Sequence, residues 1–158
     1  MKQLKRYVKN KSVVIGFTII SLVILAAIFA PYLTPYDPTE MDMSKRLISP
    51  NSEHLLGTDE FGRDLLTRLL YGARVSLFVG FISVSVAMTI GVLLGLISGY
   101  YGKWVDTIIM RIVDIFLSFP VILLAIALVA ALGPGLGNVV IALGLVYWTN
   151  YARVVRST

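Results

Sequence analysis

The sequence predicts an all-α integral membrane protein with four transmembrane helices and one external amphipathic helix. Three observations predict it. Of its 158 residues 57% are hydrophobic and only 15% charged, against roughly 45–50% and about 25% in ordinary soluble domains. The apolar residues gather in four runs, 13–30, 75–99, 115–132 and 135–152, none containing Asp, Glu, Lys or Arg. Each approaches the ~20 residues a helix needs to cross ~30 Å of hydrocarbon, and none keeps the polar stripe that a soluble helix turns to water.

Residues 1–12 form a basic tail, with Lys2, Lys5, Arg6, Lys9 and Lys11 and no acid. The positive-inside rule places such a tail in the cytoplasm. With four spans both termini then face inward, along with Lys103, Arg111, Arg153 and Arg156. The outer side receives the basic residues between positions 32 and 74. Basic charge at the ends of apolar runs favours membrane topology over nucleic-acid binding. Cysteine is absent, which excludes disulfides, thiolate catalysis and cysteine-ligated metals.

The first transmembrane helix is expected at 13–32. A cleaved signal peptide competes for this run, because a basic region precedes it and Ala26, Ala27 and Ala30 are small. Eighteen apolar residues nevertheless exceed a typical signal core, and the prolines from Pro31 to Pro38 read as an exit from a helix. Residues 33–74 then form an extracytoplasmic loop; the four prolines at 31, 35, 38 and 50 and the lack of a sustained helical period over 31–54 read as extended chain.

Within that loop the pattern changes at Thr58. Phe61, Leu65, Leu66, Leu69 and Leu70 recur at helical spacing while Glu60, Arg63, Asp64 and Arg68 take the other side. Thr58 suits an N-cap, Asp59 and Glu60 suit the positive end of a helix, and Asp64 with Arg68 makes a favourable i,i+4 pair. An amphipathic helix over 58–71 is the expectation, lying along the membrane surface with its leucines in the interface.

The second span, about 75–99, carries Ser83, Ala87, Gly91, Gly95 and Gly99 at every fourth position. Such a bare face permits close backbone approach, which is how helices associate in lipid, so another helix is expected there. The third span, about 115–132, follows a segment bearing Asp106, Arg111 and Asp114. Arg111 and Asp114 could pair at i,i+3. Asp114, Ser118, Pro120 and Asn150 are the candidate pathway or gating residues, since charges at membrane depth mark transport routes. Pro120 removes a backbone hydrogen bond and should kink the helix. Residues 132–138, LGPGLGN, resemble a phosphate loop only superficially, because the preceding strand and the lysine are missing; an external turn is expected. The fourth span, about 135–152, ends in Tyr147, Trp148 and Tyr151, an interfacial aromatic belt beside Arg153 and Arg156.

Catalytic, cofactor-binding and metal-binding residues are expected to be absent. His54 is the only histidine, and with Asp59 and Glu60 alone it offers no metal-ligand spacing. Without a nucleotide motif, any uphill movement would draw its energy from a partner.

The stretches LLGTDEFGRDLLTRLLYGARVSL, GYYGKWVDTIIMRIVDIFLSFPVILLAIALVAALGPGLGN and YWTNYARVVRS resemble the dipeptide/oligopeptide/nickel permease family of binding-protein-dependent ABC importers, specifically its second permease subunit. The likeness covers nearly the whole chain. It implies residues 75–158 as the start of an ABC type-1 transmembrane domain in the bacterial or archaeal inner membrane. It also implies a homologous permease as partner, two cytoplasmic ATPases carrying ATP and Mg, and an extracytoplasmic solute-binding protein. Family members usually have six spans and a coupling segment for the ATPase. Here four spans are expected and neither that segment nor the last two spans is matched, so the resemblance implies an N-terminal portion. Thr149 also departs from a proline common in the family after the tryptophan. The residues alone leave a second reading open: a small non-catalytic membrane scaffold that packs against another helical membrane protein.

Overall fold

The computed structural model describes residues 10–157; the basic tail lies outside them up to residue 9. Two compact units divide the chain, the first ending at Leu77 and the second beginning at Phe78. Among the described residues the regular structure is helical, apart from one isolated bridge.

Helix α1, Lys11–Leu33, opens at Asn10, whose side chain accepts the Ser12 N–H at 3.1 Å, which satisfies one of the orphan donors at a helix start. Pro31 sits in its last turn. Only Ala27 and Ala30 are buried along this helix; Phe17, Ile20, Leu22 and Ile28 are all more than half exposed. An apolar surface of that extent calls for lipid or protein cover. Its 23 residues span about 35 Å at ~1.5 Å each.

Helix α2, Leu65–Tyr101, has 37 residues, about 55 Å. It takes in the second expected span together with residues 65–71 of the expected surface helix. The amphipathic helix over 58–71 is thus corrected. Residues 58–64 form a tight turn closed by an antiparallel bridge between Thr58 and Asp64, and helix begins only at Leu65. The cause is Gly62, whose φ of +75° is incompatible with a right-handed helix, and whose Cα faces the Asp42 carbonyl so closely that no Cβ fits.

Helices α3, Lys103–Ser118, and α4, Val121–Leu132, replace the single span expected at 115–132. They are bent by 93° at their junction. Pro120 stands at the break as the residue before α4: it offers no N–H to continue α3, and it holds Phe119 extended, with ψ of 141°. Gly133 and Gly135, with φ of +88° and +142°, then reverse the chain where an external turn was expected. Asn138 donates to the Leu132 and Gly133 carbonyls at 2.9 and 3.0 Å, satisfying acceptors left at the end of α4.

Helix α5, Leu136–Arg156, is the middle of the second unit. It packs along α4 and α3, while α2 meets it at Gly91, Gly95 and Gly144. Ala87, Val113, Trp148 and Ala152 form the buried centre, with Phe116 edge-on to Trp148 at 5.9 Å between ring centroids. By length and apolarity α1 and α2 can each cross a membrane, and the bent α3–α4 pair makes a third candidate. Helix α5 does not reach that apolarity, although four spans were expected.

Candidate functional site

The first unit holds a knot of polar side chains around the start of α2. Asp64 immediately precedes the helix, and its Oδ2 accepts the Thr67 N–H at 2.7 Å, which makes it the N-cap. The same oxygen accepts the Thr67 hydroxyl at 2.7 Å. With its proton so committed, Thr67 Oγ1 accepts from Thr34 Oγ1, and Thr34 Oγ1 in turn accepts the Tyr36 N–H at 3.2 Å. Thr34 caps the end of α1, so one hydroxyl relay ties the end of α1 to the first turn of α2.

The other oxygen of Asp64 accepts from His54 Nδ1 at 3.0 Å. His54 and Asp64 are 3% and 5% exposed, far below what such residues normally show. Burial pushes the Asp64 carboxyl up, but the hydrogen bonds from Thr67 and His54 outweigh it and hold the group below the usual range. Tyr36 lays its ring against His54, 4.9 Å between centroids, and its hydroxyl donates to the Glu53 carbonyl at 3.0 Å.

Asp59 organises a second knot. Its Oδ1 accepts the Phe61 and Arg63 N–H groups at 2.8 and 3.0 Å, and its Oδ2 meets Arg63 at 2.8 Å and Arg68 at 2.5 Å. Burial raises its pKa, yet these four donors together lower it to about 2. Two pairings expected from spacing are corrected here. Thr58 does not cap a helix; its hydroxyl accepts the Ile48 N–H and donates to the Lys45 carbonyl, pinning the preceding loop. Arg68 pairs with Asp59 rather than Asp64, because Asp64 is already saturated by the cap, Thr67 and His54. Glu60 is exposed.

In the second unit the small-residue face of α2 lies against α5. A methyl group placed on Gly91 would collide with the Trp148 carbonyl and sit 2.5 Å from Tyr151 Cβ; one on Gly95 would sit 2.8 Å from the Ala152 carbonyl. Ser83 and Ala87 are buried. Gly99 has nothing within 4 Å of such a methyl, and the buried residue at that level is Ser98, which donates to Asp106 Oδ1. Asp106 also receives Arg156 through two nitrogens, at 2.9 and 2.6 Å, so it links α2, α3 and α5. Asp114 pairs with Arg153 of α5 at 3.1 Å, not with Arg111 as its spacing suggested. Asp114, Ser118, Pro120 and Asn150 are all exposed. Ser118 donates to the Ile115 carbonyl at 2.7 Å, and the ion pair with Arg153 brings Asp114 to α5, the helix that carries Asn150. The Asp106 junction was missed from sequence, its partner Arg156 lying 50 residues away. Among the described residues no group of three or more His, Asp or Glu is placed to hold a metal ion.

Apolar helices with extensive exposed faces, two of them long and apolar enough to cross a membrane and a bent pair making a third candidate, mark a multi-pass membrane protein. The comparisons specify which. Residues 2–50 match the N-terminal TM domain of oligopeptide transport permease C, and residues 91–158 match the binding-protein-dependent transport system inner membrane component. Over nearly its whole length the chain is similar to dipeptide and oligopeptide transport permease subunits. It is 54% identical over 156 residues to the dipeptide transport system permease protein DppC of Alkalihalophilus pseudofirmus, covering 99% of this chain and 50% of that one. It is 44% identical over 155 residues to the DppC of Haemophilus influenzae, 94% of this chain and 52% of the relative. A glutathione transport system permease protein, GsiD of Pectobacterium atrosepticum, is 44% identical over 153 residues, 96% of this chain and 51% of that one. The chain spans about half the length of the curated relatives it matches.

Proposed function

We propose that the chain is the N-terminal portion of a permease subunit in a binding-protein-dependent ABC importer for peptides or related solutes, in which it contributes to half of the translocation pathway. The observation that carries this is the 54% identity over 99% of the chain to a dipeptide permease. A homologous permease supplies the other half. Two cytoplasmic ATPases, binding ATP and Mg, supply the energy, and an extracytoplasmic binding protein delivers the solute. The chain itself performs no catalysis.

In this reading four spans cross the inner membrane: α1, α2, the bent α3–α4 pair and α5, with both termini cytoplasmic. Helix α5 crosses as the inner helix of its unit, where α2, α3 and α4 shield it and lower the apolarity it needs. The exposed Asp114, Ser118, Pro120 and Asn150 remain the candidate pathway or gating residues, and the 58–71 segment, with Asp59 and Arg63 in its turn, faces the outside.

Two experiments test this. The full open reading frame, coexpressed with neighbouring ATPase and binding-protein genes and reconstituted in liposomes, should show ATPase activity stimulated by a loaded binding protein; failure of any ATPase to copurify overturns the importer. For topology, the absence of cysteine makes single replacements clean. Ser52→Cys should react with an impermeant maleimide on intact cells, while Gln3→Cys and Ser157→Cys should react only after lysis; labelling of position 3 from outside overturns the orientation.

A further inference from the structure

Helix α3 carries a face that neither the polar knots nor the transport reading uses. Helices α2 and α5 run side by side in one direction, since Gly144 faces Val86, Gly91 faces Trp148 and Tyr151, and Gly95 faces Ala152 and Val155. They therefore end at one level, near Tyr101 and Arg156. Gly102, at φ of +58°, turns the chain there, and α3 sets off across those ends. Two junctions fix its course: Asp106 takes Ser98 of α2 and Arg156 of α5, and Asp114 takes Arg153. Along α3 the two aspartates stand about 12 Å apart, whereas their arginine partners stand only about 4.5 Å apart along α5, at ~1.5 Å per residue. Helix α3 thus crosses α5 instead of running beside it, in keeping with its 93° bend to α4.

With Val113 turned into the core, the far side of α3 is left uncovered. Trp104 is 71% exposed, and the exposed Ile108, Ile112 and Ile115 continue its strip at three- and four-residue steps. Tyr100 and Tyr101, edge to face at 5.1 Å between ring centroids, are exposed beside its start. Lys103 and Arg111 border the strip, and among the described residues neither has a carboxylate oxygen within 4.0 Å. The acids of α3 do not offset them, because Asp106 and Asp114 are each spent on an arginine of α5.

These features narrow what covers the face. Water is a poor cover for a tryptophan and three isoleucines in one strip, and the hydrocarbon centre is a poor cover for two cations without partners. Aromatic rings, isoleucines and basic tips on a helix that lies athwart the spans are the make-up of an element at the boundary between the two. There the basic border is complementary to lipid phosphate, which attracts each Lys or Arg near the surface.

We propose that the uncovered face of α3 is a lipid-binding surface, in which Trp104, Ile108, Ile112 and Ile115 lie among acyl chains while Lys103 and Arg111 hold the headgroup phosphate of an anionic phospholipid. This rests on the reading that α2 and α5 cross a bilayer, and it is independent of what the assembled protein transports.

The test places the photoreactive p-benzoylphenylalanine at position 104 of the complete open reading frame, coexpressed with its neighbouring genes in a bacterium whose membrane holds phosphatidylethanolamine and phosphatidylglycerol. After irradiation, mass spectrometry of the peptide containing position 104 identifies what it has joined. Lipid adducts are expected, with phosphatidylglycerol over-represented relative to its share of the membrane by at least about fivefold, the attraction of a single basic residue. Lys103→Asn with Arg111→Gln should return the adducts to the membrane's own lipid ratio while lipid adducts persist, which reports that α3 still lies at the boundary. Asparagine is chosen because Lys103 stands at φ of +45°, a region that residue adopts readily. Adducts confined to protein, a lipid ratio equal to that of the membrane, or an anionic preference unchanged in the double variant overturns the proposal. Retention of the polypeptide through alkaline extraction reports the spans separately: a retained chain without lipid adducts refutes the α3 surface alone, and a released one refutes the membrane reading with it.

Discussion

The contact between α2 and α5 makes a sharp prediction about single methyl groups. In Gly91→Ala the new methyl would lie 2.5 Å from Tyr151 Cβ and 3.0 Å from the Ala152 nitrogen, besides meeting the Trp148 carbonyl, where ordinary contact is 3.4–4 Å. Two of those three atoms are backbone and cannot rotate away, so the helices must part by about 1 Å, given rigid interiors. Overpacking of this kind costs about 1–3 kcal/mol. Replacing glycine by alanine inside a helix returns about 1 kcal/mol of propensity. Gly99→Ala, with open space around it, keeps that gain and meets no overlap. The difference between the two variants isolates the overlap: about 1–3 kcal/mol, roughly 5- to 150-fold in the folding equilibrium. Trp148 lies in the core at 5% exposure while Trp104 is 71% exposed, so emission in a Trp104→Phe background reports this packing during unfolding by SDS from mixed micelles. Gly91→Ala should be the less stable variant, with Gly95→Ala between the two. Equal stability of the Gly91 and Gly99 variants refutes the packing.

Three further outcomes follow from the ion pairs. The Asp59 carboxyl is lowered to about 2 from 3.8; since the depressed value belongs to the folded state, its stabilisation is present above about pH 4 and lost as pH falls toward 2. The Phe61 and Arg63 amide resonances should therefore titrate together near pH 2, and a midpoint near 3.8 would exclude the network. Asp64→Ala removes the cap and strands both the His54 and Thr67 donors, at a cost of about 2–4 kcal/mol, whereas Asp64→Asn keeps an accepting oxygen and should lose less; amide hydrogen exchange over the first turn of α2 separates the two. Reversing either Asp106→Arg or Arg156→Asp should destabilise the second unit, with the exchanged double variant recovering part of the loss in the same SDS titration; strictly additive effects would show the pair to be uncoupled.

What the sequence discloses is what local spacing carries. Apolar runs locate α1 and α2, the small residues at every fourth position mark a close face, and Pro120 and the glycines after Leu132 mark breaks. Spacing also misleads where a short-range partner is outbid by a distant one. Asp114 has Arg111 three residues away but pairs with Arg153, 39 residues off, and Arg68 reaches back nine residues to Asp59. The expected helix over 58–71 held its own warning in Gly62, which costs a helix interior about 1 kcal/mol. Asp59, read there as a helix-start signal, instead closes a turn, and Asp64, read as a mid-helix partner of Arg68, caps the later start.

Helix α5 shows why hydropathy ranks helices by the wrong criterion. Its buried residues, Val140, Ala142, Gly144, Val146, Trp148, Thr149 and Ala152, do not lie on one stripe; steps of two positions place them on opposite sides of the helix, as required of an element with α2 on one side and α3 and α4 on another. A helix so enclosed solves its solvation through neighbouring protein, so small residues that admit close backbones serve it better than large apolar ones. Helix α1, with only two buried residues, leaves most of its surface exposed and is apolar throughout. Weak hydropathy in α5 and strong hydropathy in α1 thus express one physical rule, which is that apolarity tracks the surface a helix leaves uncovered and not depth in the fold.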